Sequence, residues 1–171
     1  ITIMGKEFTH FDREGNAVMV DVSEKPVTQR SALARGTISV TREIIDAIQN
    51  HTVMKGDVLG VARIAGIMGV KQTASLIPMC HTLLIQKCSV DFQVDEKTCQ
   101  IHAFCRVKTE GKTGVEMEAL TGVTTALLTI YDMCKAIDKG MVLGEICLVE
   151  KIGGKSGPIH YEIPNSSEPR R

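Results

Sequence analysis

Hydrophobic and polar positions alternate along "AVMVDV" (Ala17 to Val22) and again along "GTISV" (Gly36 to Val40). Both stretches are β-branched enough to predict strands. Between them, "SEKPVTQRSALAR" carries a proline and mixed charge and reads as a long connection. The period then changes. Ile44, Ile45 and Ile48 share one face of a short helix expected over Ser39 to Asn50. After "KGD", Val58, Val61, Ala62, Ala65 and Met68 recur at helical spacing and predict a long helix over Val58 to Ile77. Its Gly and Ala content suits close approach to a neighbouring element, and Pro78, which lacks an N–H donor, should end it.

Alternation returns in "KCSVDFQV", with Cys88, Val90, Phe92 and Val94 on one side, and in "TCQIHAFCRVKT", joined to it through "DEK" as a hairpin. Leu120 to Ile137 predicts a second long helix with Leu120, Val123, Leu127, Ile130 and Cys134 as its core stripe, and "KGMVLGEICLVEK" a closing strand. From Gly36 onward the order is strand, helix, two-stranded hairpin, helix, strand. That is an α+β, ferredoxin-like βαββαβ arrangement with two long helices on one face of an antiparallel sheet, preceded by an added strand and short helix. The whole of 1–171 reads as a single domain, with residues 1–12 and 158–171 expected to be mobile tails.

Composition narrows the function. Twenty Lys and Arg balance twenty Asp and Glu, which argues against a general nucleic-acid or membrane-surface binder. No run approaches the ~20 apolar residues of a membrane span, and no signal-peptide pattern opens the chain, so a cytoplasmic protein is expected. Six cysteines never form a C-x-x-C pair and read as buried reduced thiols, with Cys99 and Cys105 on one face of an alternating strand. With no Trp, two Tyr and four Phe, base-stacking platforms for single strands are not expected.

Two segments, Gly111-Lys112-Thr113 and "GGKSG" at Gly153 to Gly157, resemble phosphate loops. A Walker loop needs a glycine five positions earlier to wrap backbone N–H groups around phosphate, and Arg106 and Val149 stand there instead. Other polar clusters remain. Asp132 and Lys135 lie one helical turn apart at the end of a polar stripe through Thr121, Thr125 and Thr129. They form either a solvated surface pair or a carboxylate and ammonium able to exchange protons in a cleft. His81 is either a structural histidine or a donor to a ligand, and its neighbour Cys80 points elsewhere. Asp57 suits a helix start, and Lys55 beside it can serve an anion. Lys155, flanked by glycines, belongs to a tail or a lid.

Four segments in order, "MVDVSEK", "KGDVLGVARIAGIMGVKQTASLIPMCHTL", "GKTGVEMEALTGVTTALLTIYDMCKAIDKGMV" and "GGKSG", resemble the cyclic pyranopterin monophosphate synthase family of molybdenum-cofactor biosynthesis over roughly Phe8 to Gly157. The resemblance implies a lyase acting on 3′,8-cyclo-7,8-dihydro-GTP and releasing diphosphate. It also implies a homohexamer built as a trimer of dimers, with active sites at the dimer interface. It places catalytic roles on Asp132, Lys135 and Lys55. Substrate binding falls to Met79, Cys80, His81, Glu116, Met117, Glu118 and Lys155. It implies no tightly bound cofactor, with magnesium as a companion of the substrate phosphates and no protein metal site. Thr82 departs from the family's usual proline after the histidine. A regulatory module that binds a small ligand without turnover is the alternative class.

Overall fold

The computed structural model describes residues 2–3, 6–7, 10–12, 14–154 and 157–161. Two short strands, β1 (Thr2–Ile3) and β2 (Lys6–Glu7), pair antiparallel with each other. The main sheet has five strands: β3 (Thr28–Ser39), β4 (Lys87–Asp95), β5 (Gln100–Gly111), β6 (Val142–Ile152) and β7 (Ile159–His160). Their spatial order is β4-β5-β3-β6-β7, and every pairing is antiparallel. Three helices complete the α+β fold: α1 (Arg42–Gln49), α2 (Val58–Leu76) and α3 (Glu116–Cys134).

The helices begin where side chains can satisfy their free N–H groups. Thr41 accepts from the Ile44 N–H at 3.4 Å, and Asp57 accepts from the Gly60 N–H at 2.9 Å. α2 ends at Leu76, two residues before Pro78.

The core lies between one face of the sheet and the pair α2 and α3. Ala32, Ala34 and Ile38 of β3 stand opposite Val107, Cys105 and Ile101 of β5, and all six are fully buried. Val123, Leu127 and Ile130 of α3 cover them. Small residues set the spacing between α2 and α3. A Cβ added at Gly66 would meet the Gly122 carbonyl at 3.0 Å, and one at Gly122 would meet Cys105 Sγ at 2.6 Å and Val70 Cγ2 at 2.7 Å. Gly122→Ala should therefore overpack this crossing and cost about 1–3 kcal/mol of folding stability. Equilibrium denaturation checks this, and an unchanged midpoint would show that the crossing can relax.

Four sequence expectations need correction. Ala17 to Val22 is not a strand. Ala17 makes only an isolated bridge to Phe11. The alternation is real, since Val18, Val20 and Val22 are half-buried while Met19 and Asp21 are exposed. But period two reports which side faces protein, not whether an open sheet edge lies alongside. Conversely, much of the expected connection is β3, a central strand whose Ala32 and Ala34 carry little β propensity and are held by neighbours on both sides. Cys99 sits at φ +52° in the turn before β5, so it does not share a strand face with Cys105. In addition, α3 starts at Glu116 instead of Leu120 and ends at Cys134. All six cysteines are free thiols. Among the described residues, no helix is long and apolar enough to cross a membrane.

Candidate active site

The candidate side chains gather at both ends of α3. At its N-terminal end, a cavity of about 380 Å³ is walled by the extended segment carrying Val20 and Val22, by the turn after α2, and by the first turn of α3. Met79, Cys80, His81, Glu116, Met117 and Glu118 all line it. Six of the seven residues expected to bind substrate thus meet in one place. The seventh, Lys155, lies outside the described residues.

The cavity's polar groups are constrained. His81 Nε2 lies 2.8 Å from the Val20 carbonyl, which can only accept, so Nε2 carries the hydrogen, and Nδ1 has no partner among the described residues. Glu118 is 4% exposed. Burial raises its pKa, and the nearby Glu116 adds to the rise, so Glu118 holds its proton at pH values where an exposed glutamate has lost it. Burial also pushes the Cys80 thiol up, with Glu118 contributing, which makes Cys80 a poor nucleophile in the cavity wall.

A second cavity, of about 420 Å³, adjoins the first and shares Lys25, Thr113, Gly114 and Glu116 with it. Four cations, Lys25, Arg30, Lys112 and Lys151, line this cleft against one carboxylate, Glu116. Arg30 is 8% exposed and donates to the carbonyls of Gly111 and Lys112, each at 3.3 Å. Neither contact neutralises its charge. Lys112 Nζ donates to the Ser23 carbonyl at 2.6 Å, tying the chain around residue 23 to the cleft wall. Cations held in a concave, partly desolvated site in a chain of zero net charge suit an anionic ligand.

Lys25, Arg30 and Lys151 were not singled out from sequence. Arg30 was hidden in the stretch read as connection, and Lys151 in the last strand. The readable signal was position: Lys151 stands two residues before Gly153-Gly154, and strand pairing sets it opposite Ala32, beside Arg30 and Ser31.

At the other end of α3, Asp132 is flanked by two ammonium groups. Lys135 Nζ lies 2.6 Å from Asp132 Oδ1 and Lys55 Nζ 3.0 Å from Oδ2, while Lys55 also donates to the Asp132 carbonyl at 2.9 Å. Lys55 comes from the turn before α2, where Gly56 at φ +91° folds the chain toward the end of α3. Both amines also face the negative end of the α3 dipole. The hydrogen bond from Lys135, then that from Lys55, hold the Asp132 carboxyl below the usual range, and Asp132 raises Lys135 in turn. The threonine stripe leading here is not a solvated face: Thr125 and Thr129 donate back to carbonyls of their own helix, and Thr125 fills the space over Gly69 of α2.

Within one chain, these two groups of residues stay apart. Fourteen residue steps separate Glu118 from Asp132, about 21 Å of helix. Asp132 is 58% exposed and its two lysines about half-exposed. The residues that the sequence assigns to one chemistry therefore stand in two separate clusters, neither of which contains the other's groups. Among the described residues, no three His, Cys, Asp or Glu side chains cluster as metal ligands do.

Known proteins resemble this chain over most of its length. The chain is 56% identical over 158 residues to the cyclic pyranopterin monophosphate synthase of Clostridium perfringens (strain SM101), covering 92% of this chain and 100% of that one. It is 57% identical over 154 residues to the enzyme of that name from Clostridium botulinum (strain Alaska E43), covering 90% and 97%. With that of Natranaerobius thermophilus it shares 54% over 159 residues, covering 93% and 100%. A sequence model described as the MoaC family matches residues 19–154, a span that holds both clusters and all four cleft cations, and the chain belongs to that family.

Proposed function

We propose that this chain is a cyclic pyranopterin monophosphate synthase. It converts (8S)-3′,8-cyclo-7,8-dihydroguanosine 5′-triphosphate to cyclic pyranopterin monophosphate and diphosphate, a step of molybdenum-cofactor biosynthesis. The observation that carries this reading is the meeting of Met79–His81 with Glu116–Glu118 in one cavity beside a cationic cleft. A purine-derived ring and a chain of phosphates need such adjoining compartments. Glu118 and His81 offer hydrogen-bonding groups to the ring, and the cleft offers charge to the phosphates.

The reaction opens the purine imidazole ring and closes a pyrazine ring, which moves several protons between nitrogen and oxygen. Asp132 and Lys135 exchange those protons, with Lys55 holding the carboxylate from its other side. Closing the cyclic phosphate forms a bond to the α-phosphorus as the bond to diphosphate breaks. The charge that develops on the leaving group is stabilised by Arg30, Lys25, Lys112 and Lys151 of the cleft, and the resemblance adds Lys155 to them. Magnesium accompanies the substrate phosphates and takes no dedicated protein site.

This chemistry requires the clusters to meet, and the length of α3 prevents that within a chain. A two-fold dimer supplies the solution: the Asp132 end of one protomer closes over the cavity of the other, and each such dimer holds two sites. Three dimers form a cytoplasmic homohexamer. The strand order and connections of β3, β4, β5 and β6 with α2 and α3 correspond to a ferredoxin-like split βαβ unit, carrying α1 as an insertion after its first strand. Incubation with the cyclised nucleotide should release one diphosphate per pterin formed. Binding of that nucleotide without diphosphate release would favour a regulatory module and overturn the enzymatic reading.

A further inference from the structure

Glu116 occupies a position that the reaction alone does not explain. It lies in the first turn of α3, lines both cavities, and pairs with Lys151 of β6. Among the described residues, Lys151 is the one cleft cation with a carboxylate partner. Arg30 and Lys112 donate to backbone carbonyls, and Lys25 has no ion pair among the described residues. The ligand-free cleft therefore neutralises one of its own charges with a side chain that also faces the neighbouring cavity.

We propose that Glu116 is the resting counter-ion of this cleft, and that ligand phosphate exchanges with it at Lys151. Filling the cleft then frees the Glu116 carboxylate for N–H donors of the ring in the adjoining cavity. This deepens the functional reading above and rests on it. Phosphate oxygens and a carboxylate compete for the same ammonium, so the resting pair weakens anion binding by the energy needed to part it. In return, the carboxylate is delivered to the ring only when phosphates are present, and a nucleoside lacking them leaves Glu116 paired.

The seat that Glu116 occupies is available because residue 114 is glycine. A Cβ placed there would stand 1.9 Å from Glu116 Oε2. That contact is with the far end of a flexible side chain, and Gly114 is not in the left-handed region, so Gly114→Ala should move the carboxylate without disturbing the backbone. This variant perturbs the pair while keeping every charge.

The test uses inorganic diphosphate and calorimetry on the full chain. Glu116→Gln and Gly114→Ala are each expected to tighten diphosphate by about tenfold, and Lys151→Gln to weaken it by at least about that factor. In the Lys151→Gln background, Glu116→Gln should change affinity by less than about twofold, because the two effects share one contact. Equal tightening by Glu116→Gln in both backgrounds would mean simple removal of a distant negative charge, and would overturn the exchange. So would the absence of any effect of Glu116→Gln, or of diphosphate binding by the unaltered protein. The diphosphate-release assay is read separately, so turnover without the exchange, or the exchange without turnover, shows which of the two readings has failed.

Discussion

Replacing Lys135 with alanine should lower kcat by about 10²–10⁴-fold, the range that a positioned acid or base contributes, while fold and assembly remain intact. Lys135 and Asp132 are half-exposed on the last turn of α3, and exposed pairs of this kind contribute little to stability. Lys55 also stays in place in the variant and still holds Asp132 from the other oxygen. Loss of turnover therefore cannot come from collapse of the helix end. The contrast with Lys55→Ala is informative. Lys135 is the larger cause of the lowered Asp132 pKa, so its removal should move the acid limb of the pH–rate profile upward further than removal of Lys55. The sign follows from the shift: a carboxylate released from an ammonium partner gains its proton at higher pH. Diphosphate release, circular dichroism and sedimentation on the same preparation check the prediction together. Near-normal release by Lys135→Ala would remove the proton-transfer role. Indifference of every measured property to Asp132 would favour the regulatory-module alternative.

The residues show why some of this was readable from sequence and some was not. Long helices announce themselves by period, and α2 and α3 carry apolar positions at helical spacing over nineteen residues each. Close approach was legible in the Gly and Ala content of α2, which includes Gly66 and Gly69, whereas Gly122 on α3 carried no such signal by itself. The β4–β5 hairpin was equally plain. What failed was the first part of the central strand, Thr28 to Arg35, since Gly36 to Ser39 was read as a strand. Ala32 and Ala34 face the helices because the space beneath β3 is shallow, and a row of alanines between arginines looks like a connection until its two neighbours are known. That error concealed Arg30. Likewise, the apolar alternation of Val18, Val20 and Val22 reflects packing against a cavity, where Val20 accepts a hydrogen bond from His81. Short motifs located the cavity residues well, because Met79–His81 sit in one turn and Glu116–Glu118 in another. Their distance from Asp132 was also computable in advance from helix rise, once all were placed on or beside α3.

That distance leads to the second large effect. Asp132→Asn and Glu118→Gln should each be inactive alone, yet co-expression of the two chains should restore activity. Each substitution is isosteric and removes ionisation without removing volume, so folding is preserved. In a two-fold dimer, one site takes Asp132 from the first protomer and Glu118 from the second, and the other site takes the reverse. A mixed dimer then places both defects in one site and leaves the other with two native residues. Random pairing makes half of the dimers mixed, and each mixed dimer has half its sites intact, so about one quarter of native activity should return. If Asp132 and Glu118 served the same site from the same chain, every site in the mixture would hold one defect, and activity would stay at the level of the separate variants. Differently tagged chains, purified in sequence through both tags, remove the assemblies built from one variant alone; these are few in a hexamer of three randomly paired dimers, so the expected value stays at about one quarter. Recovery of doubly tagged assemblies without activity would refute a site divided between protomers, and with it the explanation offered for why a helix of this length carries the proposed groups at both ends.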